Sequence, residues 1–166
     1  MPIRLAMSAD LPALHALIER AYRGDSSRAG WTHEADYLSA PRTSLSEVAA
    51  ILADPAQTML VLEEGGALVA CVALTDRGDG TVYLGFLTVE PIAQAAGTGR
   101  TVLAAAENNA RVSGARQIEM TVVDRRRELI AWYERRGYAR TGETRPFPAA
   151  LIEAVPLAFV VLTKPL

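Results

Sequence analysis

The sequence contains a single cysteine, only two histidines and no long apolar run. One cysteine excludes a disulfide within the chain, and Cys71 lies in an alternating apolar stretch that is typical of a small buried side chain. With so few histidines and cysteines, no spacing of ligands supports a metal site. The apolar runs fall well short of the ~20 residues that cross a bilayer, and no basic and then apolar segment opens the chain. We therefore expect a cytoplasmic protein that needs no metal and no membrane.

The chain also lacks a strong excess of charge. Its 17 basic and 19 acidic residues give a formal net charge of -2, so nothing favours a nucleic-acid partner. Arginines cluster at 125–127 and 135–136, where a solvated helix face is the simpler interpretation. Half of the 166 residues are apolar, which is enough for one hydrophobic core, and no repeat or linker divides the chain. A single domain over residues 1–166 is expected.

Apolar periodicity places two helices before the first strands. The helices begin near Ser8 and after Ser44, which forms a capping-box pattern with Glu47, and a long polar segment ending near Thr43 separates them. Three antiparallel strands follow, and the third covers residues 81–89. The first half of the chain is therefore predicted as two helices followed by three strands.

The second half of the chain alternates between strands and helices. Residues 81–123 form a strand, helix and strand pattern, which implies a parallel pair inside a mixed sheet. A further helix is predicted over 128–136, and strands are predicted to begin near Tyr138 and at Leu157. We expect an α/β fold with a central mixed sheet and helices on both faces. The last apolar strand could pair across a homodimer or lie inside the sheet.

The strand at 81–89 leads through Pro91 into a turn at 94–100 that carries Gly97 and Gly99. The first amides of the helix after this turn have no intrahelical partner, and the helix dipole adds positive charge, so the turn favours a phosphate or pyrophosphate. The glycines let the backbone approach the anion closely. A plain strand-to-helix connection would also fit a Gly-x-Gly turn. A dinucleotide-binding or P-loop enzyme fits poorly, because the further glycine and the Gly-Lys-Ser/Thr sequence are missing.

Two longer patterns carry a family resemblance. The first joins the strand end, Leu87 to Val89, to the sequence Gln94-x-x-Gly97-x-Gly99-Arg100. The second is Tyr133, three residues, Gly137 and the aromatic Tyr138. Together they resemble the two cofactor motifs of the GNAT N-acetyltransferases, in the same order along the chain. The resemblance implies the GNAT acyl-CoA N-acyltransferase fold.

The resemblance also implies an activity and a cosubstrate. An acetyl group would pass from acetyl-CoA directly to a primary amine of a small molecule or peptide in a ternary complex, without a metal. The cofactor-binding residues implied by the motifs are Leu87, Thr88, Val89, Gln94, Ala95, Ala96, Gly97, Thr98, Gly99, Arg100, Arg126 and Tyr133. Two positions depart from the family pattern, since Arg126 stands where Asn is common and Ala95 where Gly is frequent.

Acetyl transfer to an amine needs groups that move protons and stabilise an oxyanion. The amine must lose a proton, and the departing thiolate gains from a proton donor. Tyr133 matches the family's general acid, and the backbone N–H of Val89 or its neighbour could stabilise the oxyanion. For the base, the sequence offers Glu90 at the strand end and Glu34 in the long polar segment.

Candidate acceptor-binding residues lie in two segments. Trp31, His33, Glu34 and Asp36 belong to the polar segment that borders the acceptor pocket in the family. Arg145 belongs to residues 142–156, which are predicted as a loop, and could pair with an acidic acceptor or with cofactor phosphates, or remain solvated.

A non-catalytic alternative stays open from the sequence. The domain could bind acetyl-CoA or CoA as a sensor or docking module without turnover. The residue Arg126 at the usual Asn position and the absence of an obvious base support this alternative.

Overall fold

The computed structural model describes residues 2–22, 43–147 and 157–166. Seven strands lie in these residues: β1 Ile3–Leu5, β2 Gln57–Glu64, β3 Ala67–Asp76, β4 Thr81–Val89, β5 Gln117–Val123, β6 Ala139–Pro146 and β7 Ala158–Pro165. They form one mixed sheet in the order β1-β2-β3-β4-β5-β7-β6. The α-helices of the described residues are α1 Leu11–Tyr22, α2 Leu45–Ala53, α3 Thr98–Val112 and α4 Arg127–Glu134. Short 3-10 helices cover Ser8–Asp10 and Pro91–Ala96.

Helices cover both faces of the sheet, as the sequence predicted. On one face, α3 and α4 bury side chains such as Val102 and Ile130 against the sheet. On the other face, α1 and α2 bury Leu14 and Val48 against strands β2 and β3, beside Cys71. Cys71 is fully buried, and its burial raises the pKa of the thiol to about 12, so it behaves as a small apolar side chain.

The central parallel pair separates along its length. β4 and β5 pair only over Thr81–Tyr83 and Gln117–Glu119, although both strands continue beyond this point. Further along β4, Phe86 has a positive φ of 49°, and the register between β3 and β4 shifts. Such a bulge bends a strand. The carboxyl ends of β4 and β5 are therefore parted, which leaves a cleft in the middle of the sheet.

Strands β1 and β6 differ from the sequence prediction. β1 was not predicted, because three residues are too short to show alternation. β6 includes residues 142–146, which were predicted as a loop. It is the last strand of the sheet and is exposed along most of its length, and Gly142 has a φ of 86° within a register shift. An exposed edge strand with a bulge has no buried face that would impose an apolar alternation.

The last strand resolves an alternative that the sequence left open. β7 lies between β5 and β6 and pairs antiparallel with both. Both of its edges are therefore occupied within the chain. The apolar character of β7 is that of an internal strand, and β7 offers no free edge for pairing with a second copy.

Candidate active site

A cavity of about 570 Å³ opens at the cleft between the parted strands. The end of α1, the second half of β4, the start of α3 and the length of α4 surround it. The residues that line the cavity are Ala21, Tyr22, Leu87, Thr88, Val89, Gln94, Ala96, Gly97, Gly99, Arg100, Arg126, Leu129, Trp132, Tyr133, Arg135 and Arg136. Most of the predicted cofactor-binding residues are therefore gathered around one space. Of the others, Thr98 is buried as the first residue of α3, and Ala95 lies in the 3-10 helix.

The N-terminus of α3 faces this cavity. Gly97 precedes the helix with a φ of 87°, a left-handed conformation that other L-residues adopt only at a cost of about 1–2 kcal/mol. The amide of Thr101 donates to the Gly97 carbonyl at 3.1 Å, so the amides of residues 98–100 precede the helical hydrogen bonds. One detail differs from the prediction, since Gln94 belongs to a 3-10 helix rather than to an open turn. The predicted helix start near Gly97 is confirmed.

Gly99 lies at the start of α3, close to Trp132 and Val89, and it leaves the adjoining part of the cavity free of a side chain. A Cβ at this position would lie 3.6 Å from both Trp132 Cζ2 and Val89 Cγ2, which is ordinary van der Waals contact. Any longer side chain would have to extend into the cavity. The helix start is therefore wedged between β4 and α4, with its first amides close to both.

The backbone of β4 presents polar groups to the cleft. The amide of Glu90 donates to the Val69 carbonyl at 2.8 Å, so Val89 and its partner Ala70 form the non-hydrogen-bonded kind of antiparallel pair. The N–H of Val89 consequently points away from β3 and into the cleft between β4 and β5. On the same side, the carbonyl of Leu87 accepts a hydrogen bond of 2.7 Å from the Tyr22 hydroxyl.

Tyr133 is buried on α4 with 4% of its surface exposed, and it lines the cavity. Its ring makes edge contacts with Trp132 and Tyr138, at centroid distances of 5.1 Å and 5.6 Å. Burial raises the pKa of the phenol strongly, while the charge of Arg126 acts in the opposite direction. Tyr133 is therefore a protonated phenol at neutral pH.

Four arginines line the cavity: Arg100, Arg126, Arg135 and Arg136. Arg126 is 5% exposed, precedes α4 and has its guanidinium carbon 5.8 Å from the centre of the Tyr22 ring. Arg100 follows Gly99 in the first turn of α3, and one of its terminal nitrogens would lie 3.5 Å from a Cβ at Gly97. The cavity is thus strongly cationic in a chain whose net charge is slightly negative.

Glu90 lies next to the cavity but is not among the residues that line it. Its carboxylate accepts hydrogen bonds from the Arg20 guanidinium at 2.7 Å and 3.4 Å, and 21% of its side chain is exposed. This ion pair ties the end of α1 to the end of β4.

Arg145 lies away from this space, on strand β6. Its guanidinium contacts the carboxylates of Glu119 and Glu143, with closest distances of 3.3 Å and 3.0 Å. The side-chain hydrogen bonds to these two glutamates raise the pKa of Arg145, Glu143 contributing most. The predicted acceptor residues Trp31, His33, Glu34 and Asp36 lie outside the described residues.

Six residues of the cavity were not predicted as site residues. They are Ala21, Tyr22, Leu129, Trp132, Arg135 and Arg136. Tyr22 has no sequence signal, because its contact with Leu87 spans 65 positions. The adjacent arginines at 135–136 were interpreted as a solvated face. A clue was available there, since two cations follow closely after Trp132 and Tyr133 in the sequence.

In residues 2–22, 43–147 and 157–166, no group of three or more His, Cys, Asp or Glu side chains is placed to hold a metal ion. Within the same residues, every helix is too short or too polar to span a bilayer.

The sheet and its parted central pair define an acyl-CoA N-acyltransferase fold. The family model described as "Acetyltransferase (GNAT) family" matches residues 11–138, so the chain belongs to the GNAT family and is an acetyltransferase. Members of this family use acetyl-CoA as cosubstrate. The comparison with curated proteins gave no match.

Solved structures share the fold over the whole chain at low sequence identity. A ribosomal-protein-alanine N-acetyltransferase from Brucella melitensis is 22% identical with a TM-score of 0.76, and all of both chains is covered. An IAA acetyltransferase from Bacillus cereus is 16% identical with a TM-score of 0.74, and 99% of each chain is covered. An N-acetyltransferase from Staphylococcus aureus is also 16% identical with a TM-score of 0.74, covering 99% of this chain and 97% of that one. These likenesses show the fold.

Proposed function

We propose that this acetyltransferase moves the acetyl group of acetyl-CoA directly to a primary amine in a ternary complex. The observation that supports this most strongly is the convergence of three groups on one cavity: the N-terminus of α3, the outward N–H of Val89 and the buried phenol of Tyr133. Each group suits a different part of the donor. We further propose that residues 1–166 form a single domain of this fold.

The described residues fit coenzyme A. The amides at residues 98–100, with Arg100 beside them, suit the diphosphate. The cleft side of Leu87 to Val89 suits a pantetheine arm that lies along β4 like an additional strand. Gly99 places no side chain between the helix start and the ligand, and Gly97 allows the left-handed backbone turn that precedes the helix. Arg126 adds positive charge where the family often has Asn.

These residues would support the transfer of an acetyl group from sulfur to nitrogen. The C–N bond to the amine forms, the C–S bond breaks, the amine's proton goes to a base, and the sulfur gains hydrogen-bond donation from Tyr133. The pKa of the buried phenol exceeds that of a thiol near ~8.5, so full proton transfer from Tyr133 is uphill and donation does most of the stabilisation. The N–H of Val89 supports the developing oxyanion.

The base and the acceptor site remain proposals. Glu90 and Glu34 are the candidate bases, and Glu90 forms an ion pair with Arg20. We propose that Trp31, His33 and Asp36 border the acceptor. The Brucella melitensis protein is named for a ribosomal protein alanine and the Bacillus cereus protein as an IAA acetyltransferase, which supports wide acceptor variation on one fold.

A thiol-release assay tests this proposal. The purified protein is given acetyl-CoA and a panel of small amines, peptides and antibiotics, and free CoA is measured with a thiol reagent. Turnover that depends on one class of primary amine is expected. Silence across a broad panel, together with tight CoA binding, would favour the sensor alternative. Protection against thermal unfolding by NAD or ATP, but not by CoA, would contradict the assignment of the cavity.

A further inference from the structure

We propose that Arg135 and Arg136 select the acyl donor by its 3'-phosphate, so that the protein distinguishes coenzyme A from dephospho-coenzyme A. This inference rests on the proposed use of the cavity for coenzyme A. Both arginines lie among the three residues that separate Tyr133 from Gly137 in the second motif, at positions to which the resemblance assigns no role.

Arg136 is held in a fixed position beside the start of α3. Its guanidinium carbon lies 3.8 Å from the centre of the Trp132 ring, and its Nη1 donates to the Trp132 carbonyl at 2.7 Å. The same Trp132 ring packs next to Gly99 in the first turn of α3. A stacked and hydrogen-bonded guanidinium loses little further freedom when it binds an anion. Trp132 thus connects the helix mouth to a pre-positioned cation.

Three of the four cavity arginines, all except the buried Arg126, have no carboxylate partner in the part of the chain that the structure describes. Arg100, Arg135 and Arg136 form no ion pair with its carboxylates, and the Nε of Arg136 is buried without a hydrogen-bond partner there. Six other arginines do contact a carboxylate: Arg4, Arg20, Arg77, Arg111, Arg140 and Arg145. The carboxylates of the described residues therefore pair with arginines elsewhere, and none of them pairs with these three cations.

The unpaired cations repel one another. Burial lowers the pKa of Arg136, and the charges of Arg135 and Arg100 lower it further. Arg100 and Arg135 are exposed, so solvent screens this repulsion and its cost to the empty protein is small. A polyanionic ligand would remove this cost. The cluster therefore points to a ligand with more than one anionic group.

The charges match coenzyme A better than its dephosphorylated form. The diphosphate carries about two negative charges, which the N-terminus of α3, worth roughly half a charge, and the adjacent Arg100 and Arg126 can balance. A phosphomonoester adds about 1.5 to 2 negative charges at pH 7. Arg135 and Arg136 supply two further positive charges beside the same helix start. Without the 3'-phosphate, these two charges would have no anion to bind.

Calorimetry with two ligands tests this inference. Dissociation constants for CoA and dephospho-CoA are measured for the wild type, for the double variant Arg135→Gln/Arg136→Gln and for Arg140→Gln. Arg140 is a matched control, because it lies on β6, pairs with Glu134 and is outside the cavity. We expect the wild type and the control to prefer CoA by about 10- to 100-fold. In the double variant this ratio should fall toward one, while the affinity for dephospho-CoA changes little.

A conservative variant and the salt dependence of the wild type provide two further tests. A conservative Arg135→Lys/Arg136→Lys variant should restore part of the preference, and for the wild type the ratio should shrink as the salt concentration rises. Equal binding of both ligands by the wild type would overturn the inference and leave the proposed function intact. A preference that persists in a folded double variant would also overturn it. Binding of neither ligand would overturn the proposed function itself.

Discussion

The most informative test of the site is a negative charge at Gly99. This residue lies in the first turn of α3 and lines the cavity, and a Cβ there meets only ordinary contacts at 3.6 Å or more. Gly99→Glu should therefore fold. A glutamate in the first turn of a helix gains about 0.3–1 kcal/mol from the helix dipole, and removing a helical glycine adds about 0.5–1 kcal/mol. We expect the empty variant to be about 1 kcal/mol more stable than the wild type.

The same substitution should remove CoA binding. A carboxylate about 6 Å from the diphosphate is repelled by roughly 3 kcal/mol for each phosphate charge at an effective dielectric constant of about 20. If Arg100 and salt screen about half of this, roughly 3 kcal/mol remains for two charges, or about 100-fold in Kd. Stability and binding should consequently change in opposite directions.

Calorimetry with CoA and urea unfolding without ligand measure the two effects of Gly99→Glu. Gly99→Gln has nearly the same shape without the charge, and Gly99→Ala tests the space alone. We expect Kd to rise in the order Ala, Gln, Glu. If Gly99→Glu binds CoA as well as Gly99→Gln does, the diphosphate is not at the start of α3. If Gly99→Glu destabilises the empty protein strongly, the position of the helix start is wrong.

Three further predictions concern single residues. Tyr133→Phe should leave the Kd for CoA unchanged within a few-fold and lower kcat by about 100-fold, because only the donor to the leaving sulfur is lost; an unchanged kcat would reject the acid role. Gly97→Ala should lower the free energy of unfolding in urea by about 1–2 kcal/mol, because φ is 87° and only strain is added, and a neutral result would contradict the left-handed conformation. Hydrogen bonds from Arg4 lower the pKa of Asp10 below its ordinary value of 3.8, although burial acts in the opposite direction. The advantage of the wild type over Asp10→Asn in urea should thus be complete above pH 3.8 and fade as the pH falls through the lowered pKa, whereas a constant difference down to pH 2 would contradict the pairing.

Short-range rules explain the parts of the fold that were predicted correctly. The start of α3 follows from glycines at 97 and 99, because a left-handed residue and unpaired helix amides are properties of a few consecutive residues. The buried strands follow from their apolar runs, since β2 and β3 each bury four or five consecutive apolar side chains. The capping pattern at Ser44 is also local, and the Glu47 amide donates to the Ser44 hydroxyl at 3.1 Å.

Sequence patterns were weak where burial imposed no pattern. The residues of β6 belong to an exposed edge, so nothing in their order distinguishes strand from loop. β7, by contrast, has a clear apolar run, but such a run is compatible with an interface between copies or with an internal position. Only the pairing of β7 with β5 and β6 decided between them.

The sequence by itself determined the helix start that suits a phosphate, the phenol on a later helix and the family to which both belong. The tertiary structure alone decided what surrounds them. Tyr22 reaches Leu87 across 65 positions, and Glu90 meets Arg20 across 70. Arg100 lies in the same cavity as the arginines that flank α4. Such contacts depend on how the chain returns through the sheet, and local periodicity carries no information about that path. The composition of the cavity is therefore a property of the fold.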